Sequence, residues 1–272
     1  MVFQTNRSSN KSKLSGISIS GVSKQFANGI LALSDIDLEV HPGSFVVILG
    51  SSGAGKSTLL RCVNGLEMPS AGYVKVGTNL VTRRSFRLIR RNVAMIFQGF
   101  NLIGRLNVMS NVLCGRLGKR STVGSLFYLM RKDDMAIANA ALHRVGLLSR
   151  AWERADTLSG GEQQRVGIAR ALSQKPEILL ADEPVASLDP ATGEEIMTLL
   201  QEIQMEGTLT LLVSLHQVDL ARRYAERIIG LKAGKIVFDG PPKCLDESAL
   251  QEIYGDAIND KNYIAKHDAN TT

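Results

Sequence analysis

The sequence predicts an α/β fold, a mostly parallel sheet flanked by helices, and three observations carry the prediction. Short apolar β-like runs at 45–49, 93–97, 178–181, 211–215 and 228–231 alternate with helical patterns, the order a parallel sheet requires. The first run leads straight into a glycine-rich turn, Gly50-Ser51-Ser52-Gly53-Ala54-Gly55-Lys56-Ser57. The third ends in two carboxylates, Asp182 and Glu183, and the C-terminal strand ends of a parallel sheet open into the ligand crevice. A chain of 272 residues with 44% hydrophobic content can fill one large domain, or a core with an inserted subdomain.

Residues 1–15, rich in Ser, Asn and Lys, read as a disordered extension. The runs at 17–22 and 31–40 are bounded by the turn signals Asn28-Gly29 and His41-Pro42-Gly43, so they form an antiparallel lead-in to the strand at 45–49. From 99 to 157 the character becomes helical. In 133–148, Ala138, Ala141, Leu142, Val145 and Leu148 recur at three- and four-residue spacing, which predicts an inserted helical subdomain. The segments 16–98 and 158–256 make the core around it, with a further β-like run at 235–238, and 257–272 reads as a polar tail. No internal repeat is visible, so the chain carries one copy of this unit.

No apolar run approaches the 18 or so residues of a membrane span, and 1–16 lacks the apolar stretch of a secretion signal. Cys62, Cys114 and Cys244 are far apart and lack the spacing of a zinc site or a disulfide framework, which fits a reducing cytoplasm. The net charge of +6 is scattered apart from short clusters such as Arg83-Arg84 and Arg90-Arg91. These read as solvated faces rather than as a nucleic-acid site.

The turn at 50–57 matches G-x-x-x-x-G-K-[ST], the phosphate-cradling P-loop. Its backbone N–H groups form an anion nest, and a helix beginning near Lys56 adds the positive end of its dipole. Lys56 is expected to reach the β- and γ-phosphates of a nucleotide, and the Ser57 hydroxyl to ligate Mg²⁺. Gly50 to Thr58 together make the cofactor-binding segment. Asp182 would hold the Mg²⁺ shell, and Glu183 would act as general base on the attacking water.

A second string, Leu158-Ser159-Gly160-Gly161-Glu162-Gln163-Gln164-Arg165, contains an ordinary capping box, Ser159-x-x-Glu162. The cap leaves Gly160 and Gly161 unexplained, since each weakens a first turn by roughly 1 kcal/mol relative to Ala. Bare amides at a helix N-terminus are what a phosphate needs. Of the four histidines only His216 ends a buried-looking strand. Asp189-Pro190 is a helix start with Asp as N-cap and Pro at the first helical position.

With both strings in one chain and the remaining motifs in order, residues 16–255 resemble the ATP-binding subunits of ABC transporters. The resemblance implies a P-loop NTPase fold with an ABC-type ATPase core, and ATP and Mg²⁺ as cofactors. It casts Gln98 as the Q-loop residue near Mg²⁺ and the attacking water, and His216 as the switch histidine on the γ-phosphate. Ser159, Gly160, Gly161 and Glu162 become the signature that faces a γ-phosphate on the P-loop of a second copy. Asp189 joins the D-loop that crosses to that copy, while it also caps its own helix. Phe26 stands where a ring stacks on adenine. Phe100, Leu102, Ile103, Leu106 and Met109 stand where a coupling helix of the membrane subunit docks, and burial within the helical subdomain is an equal contender for each.

The same resemblance implies a homodimer of ATPase subunits on two transmembrane permease subunits. It would sit on the cytoplasmic face of the cell membrane as a peripheral subunit, served indirectly by a solute-binding protein. Ser51 is often Pro and Phe26 often Tyr in such chains, and neither departure removes a phosphate contact. Stretches at 111–118, 181–190, 214–222, 238–242 and 253–255 resemble the ATP-binding subunit of phosphonate importers, implying phosphonate or phosphite as cargo. An ABC importer or exporter of other cargo is the nearest alternative. A non-transport ABC ATPase would typically carry a long coiled-coil insertion or two fused nucleotide domains, and a small-molecule kinase would have no use for 158–165.

Overall fold

The computed structural model describes residues 15–119 and 132–255. The expected tail at 257–272 and the expected extension at 1–15, Ser15 excepted, lie outside the described residues, as does 120–131 of the expected helical insertion.

Two sheets carry the fold. Strands β1 (Ile17–Gln25), β2 (Leu31–Val40), β4 (Ala71–Val76) and β5 (Asn79–Leu80) form an antiparallel sheet in the order β2-β1-β4-β5. Strands β3 (Phe45–Leu49), β6 (Val93–Ile96), β7 (Ile178–Asp182), β8 (Thr210–Leu215), β9 (Arg227–Lys232) and β10 (Lys235–Gly240) form the second, in the order β10-β9-β3-β8-β7-β6. All its pairings are parallel except that of β10 with β9. The strand at 45–49 that the lead-in runs into, β3, is a central strand of the parallel sheet, and the lead-in strands β1 and β2 pair in the antiparallel one. Its five residues are all buried, as a strand covered on both faces must be.

Helix α1 (Lys56–Val63) lies between the two sheets: Leu59, Leu60, Cys62 and Val63 are fully buried in a cluster with Ile17, Ile36, Val46, Ile48 and Leu212. Burial pushes the Cys62 thiol up to about 12. On the opposite face of the parallel sheet, a second cluster runs from Phe45, Val47 and Leu179 into α3 (Val108–Cys114), α4 (Lys132–Arg144), α5 (Gly160–Ser173) and α6 (Pro190–Ile203). The short helices α7 (Val218–Tyr224) and α8 (Glu247–Tyr254) close that side.

The helix expected at 133–148 stops at Arg144, because Gly146 turns to φ 74° and ends the repeat. Leu148 falls in the following 3₁₀ turn and is 41% exposed, so it is not part of the buried stripe. The strand expected at 93–97 ends one residue earlier, at Ile96. Helix α2 (Phe86–Asn92), β4 and β5 have no counterpart in the sequence reading. Among the described residues, no helix is long and apolar enough to cross a membrane.

Candidate functional site

The P-loop sits where β3 ends and α1 begins. Gly55 takes φ 106° at the N-cap, no side chain caps the helix, and its first turn holds no acidic residue, so the helix amides face the loop without a competing carboxylate. Two glycines are dictated by close approach: a Cβ on Gly50 would lie 2.3 Å from the Leu231 carbonyl oxygen, and one on Gly55 2.5 Å from that of Ala32. Ala54 and Lys56 are buried, Ser51, Ser57 and Thr58 half-buried, and Ser52 and Gly53 exposed at the loop tip.

Lys56 turns its Nζ back into the loop, donating to the carbonyls of Gly50 at 2.8 Å and Ser51 at 3.1 Å. Burial lowers its pKa, and the nearby Glu183 and Asp182 work against that shift. Glu183 Oε1 lies 3.6 Å from Lys56 Nζ and 2.5 Å from His216 Nε2, while Gln98 Nε2 donates to Glu183 Oε2 at 2.9 Å. Residues from the ends of β6, β7 and β8 and from α1 therefore meet around one carboxylate. Glu183 itself takes φ 48°, a left-handed conformation that side chains rarely adopt, directly after the last residue of β7.

Behind it, Asp182 is 2% exposed. Its Oδ1 accepts from Ser57 Oγ at 2.8 Å and from Ser214 Oγ at 2.9 Å. Ser214 Oγ in turn accepts from the Glu183 amide at 3.0 Å, so one hydroxyl fixes both carboxylates. The sequence reading missed Ser214; the available signal was a polar residue in the otherwise apolar run 211–215.

The second string forms the expected capping box at the start of α5: Ser159 Oγ accepts from the Glu162 amide at 3.4 Å, and Glu162 Oε2 accepts from the Ser159 amide at 2.9 Å. The Ser159 amide first, and Arg150 with it, hold the Glu162 carboxyl below its usual range. Ser159 is exposed, and its hydrogen bonds stay within this cap rather than reaching the P-loop. Gly160 packs between Leu188 and Phe100, each 3.5 Å from the position of a Cβ, and a Cβ on Gly161 would press within 2.5 Å of Thr192. Asp189 caps α6 by accepting from the Thr192 amide at 3.0 Å.

Phe26 is half-buried at the β1–β2 turn, with Lys24 Nζ 5.0 Å from its ring centroid. Of the five apolar residues after Gln98, Met109 is core at 2% exposure and Leu102 packs against the same cluster, whereas Ile103 is 53% exposed. Trp152, which the sequence reading passed over, is 70% exposed.

Residues 33–186 match the ABC transporter family. The chain is 59% identical over 241 residues to a phosphonates import ATP-binding protein, PhnC, of Thiobacillus denitrificans, covering 89% of this chain and 93% of the relative. It is 51% identical over 240 residues to a PhnC of Trichodesmium erythraeum, covering 88% and 92%. Among solved structures, the ATP-binding cassette MJ0796 in a dimeric post-hydrolysis state with ADP and Pi superposes with a TM-score of 0.73 at 33% identity, over 83% of this chain and 98% of that one. A cassette of an ABC transporter in its ADP conformation, MJ1267, gives 0.78 at 24% identity, which bears on the fold alone. The P-loop at the head of α1, the carboxylates at the end of β7 and these matches together make the chain a member of the ABC transporter family, an ATP-hydrolysing subunit with the P-loop ABC ATPase fold.

Proposed function

We propose that this chain powers the uptake of phosphonate, or of phosphite, across the cytoplasmic membrane by binding and hydrolysing ATP between two copies of itself. The observation that supports the hydrolytic reading is the convergence of Lys56, Gln98 and His216 on Glu183, beside an Asp182 tied to Ser57. Glu183 is the general base, Gln98 and His216 position the water and the γ-phosphate, and Lys56 neutralises the β- and γ-phosphates. Gly50 to Thr58 hold the nucleotide and Phe26 stacks on the base.

The donor set suits Mg²⁺: a buried carboxylate and a hydroxyl 2.8 Å apart are hard oxygen ligands. Ser57, Asp182 and Gln98 would hold the ion, which when bound neutralises charge that develops on the phosphates. Ser159, Gly160, Gly161 and Glu162 serve the nucleotide of the partner copy, with Asp189 crossing the same interface. Segments 16–98 and 158–256 form the ATP-binding core and 99–157 the helical subdomain, which passes the closure to two permease subunits at the cytoplasmic face.

Deleting the gene should abolish growth on a phosphonate or on phosphite as sole phosphorus source, leaving growth on phosphate intact. The Glu183→Gln allele should fail to restore it. Growth of the deletion strain on every reduced-phosphorus source, with no second uptake system present, would overturn the cargo assignment.

A further inference from the structure

From 68 to 132 the sequence holds no acidic residue but twelve Lys and Arg. The fold places half that number, one of them from just before this stretch, on adjoining segments: Arg83, Arg84, Arg87, Arg90 and Arg91, on α2 and just before it, and Arg61 near the end of α1 are all exposed. Side-chain bonds to backbone carbonyls tie these segments together. Arg90 lies 4.8 Å over the Phe86 ring and donates to the Gly65 carbonyl at 2.6 Å, and the Leu66 amide donates to the Arg61 carbonyl at 2.9 Å. Ser85 Oγ donates to the Leu80 carbonyl at 2.5 Å, and Arg91 Nε to that of Gly118 at 2.8 Å. Leu66, Leu80 and Leu88 are exposed on these same segments, at 42%, 43% and 45%.

Elsewhere, four arginines, Arg150, Arg154, Arg223 and Arg227, each meet a carboxylate within 2.7 Å. Among the described residues, none of the six arginines on the adjoining segments pairs with one. Like charges on adjoining segments repel, and an outside anion relieves that repulsion. Guanidinium groups interleaved with exposed leucines match a lipid headgroup layer, where arginines meet phosphates and apolar side chains reach the acyl boundary. The location agrees. Helix α2 runs directly into β6, the edge strand of the parallel sheet, and Gln98 with the exposed Ile103 follows it.

We propose that the face formed by Arg61, Arg83, Arg84, Arg87, Arg90 and Arg91 docks on the anionic headgroups of the bilayer that houses the permease subunits, an inference that rests on the membrane-peripheral reading above. The test is co-sedimentation of the purified full chain with phosphatidylcholine vesicles, with and without phosphatidylglycerol, at low and high salt. Binding should require phosphatidylglycerol and weaken with salt. Replacing Arg83, Arg84, Arg87 and Arg91 together by Ser should lower partitioning by more than about tenfold, and replacing them by Lys should restore most of it.

ATP hydrolysis by the same preparations should be unchanged, which separates this proposal from the ATPase reading: hydrolysis without vesicle binding overturns the docking face alone. Equal binding to neutral and anionic vesicles, or undiminished binding by the Ser variant, also overturns it. Preferential capture of a single-stranded oligonucleotide over vesicles at equal phosphate would transfer the face to nucleic acid and reject the lipid.

Discussion

Glu183 is held from three sides, by His216, Gln98 and Lys56, on a backbone turned to φ 48°. Strain of that kind costs about 1–3 kcal/mol and persists only where the surroundings enforce it, here through Ser214 on the Glu183 amide. Glu183→Gln preserves the shape but cannot take a proton from water. Hydrolysis should fall about 10²–10⁴-fold while ATP binding survives and the variant accumulates as an ATP-bound dimer, visible by size-exclusion chromatography. Turnover near that of the parent would remove Glu183 as the base. Lys56→Ala acts earlier, on binding: losing a charged donor worth about 1.5–3 kcal/mol should weaken ATP affinity roughly 10–100-fold by equilibrium titration. The site was legible because its residues are chemically unusual where they stand, at strand ends and in a bare turn. Ser214 and Arg150 were not, since a serine in a strand and an arginine in a loop gain meaning only from what the fold puts beside them.

At the scale of elements, α5 joins the second string to the loop after Gln98. Arg170 donates to the carbonyls of Asn101 at 2.6 Å and Phe100 at 3.1 Å, two residues at φ 51° and 62°, while the Phe100 ring packs on Gly160. Arg170→Met frees that loop without touching the P-loop, so kcat should drop while ATP affinity holds; a parallel loss of both would reduce Arg170 to a core residue. Ser159→Asp separates the two readings of the cap. Asp caps about as well as Ser, so the monomer should stay folded, but ATP-driven dimerisation should fail if Ser159 faces a phosphate. Glu162 carries a pH signature. Its folded pKa is depressed, so its contribution is present above about pH 4.3 and lost as pH falls through the lower folded value. The difference in denaturation midpoint between Glu162→Gln and the parent should therefore shrink on acidification. The long apolar strands were legible from their runs. β4 was not, because four of its six residues are exposed and it contains Gly72, nor was α2, seven residues dominated by arginine. Strand order is set by which ends the crossovers join, and no local pattern encodes that.

At the scale of the whole molecule, the two hydrophobic clusters lie on opposite faces of one parallel sheet, and Val46 and Val47, neighbours in β3, belong to different ones. Removing either cluster exposes the same sheet, so the chain should melt in a single cooperative transition by calorimetry, with the helices of 99–157 unfolding together with the core. A ligand that binds only the folded chain raises that transition by mass action, so a given ATP concentration should raise it less in Lys56→Ala than in the parent.

Cys62 offers a way to watch this from inside. Fully buried on α1, with its thiol pushed up to about 12, it cannot react with a thiol reagent at neutral pH until the helix that carries Lys56 comes away from both sheets. With the exposed Cys244 and the half-buried Cys114 replaced by Ser, alkylation of the remaining sulfur becomes a clock for that opening. Saturating ATP should slow the clock by the factor one plus concentration over Kd, so a labelling time course would report nucleotide affinity without any nucleotide being labelled.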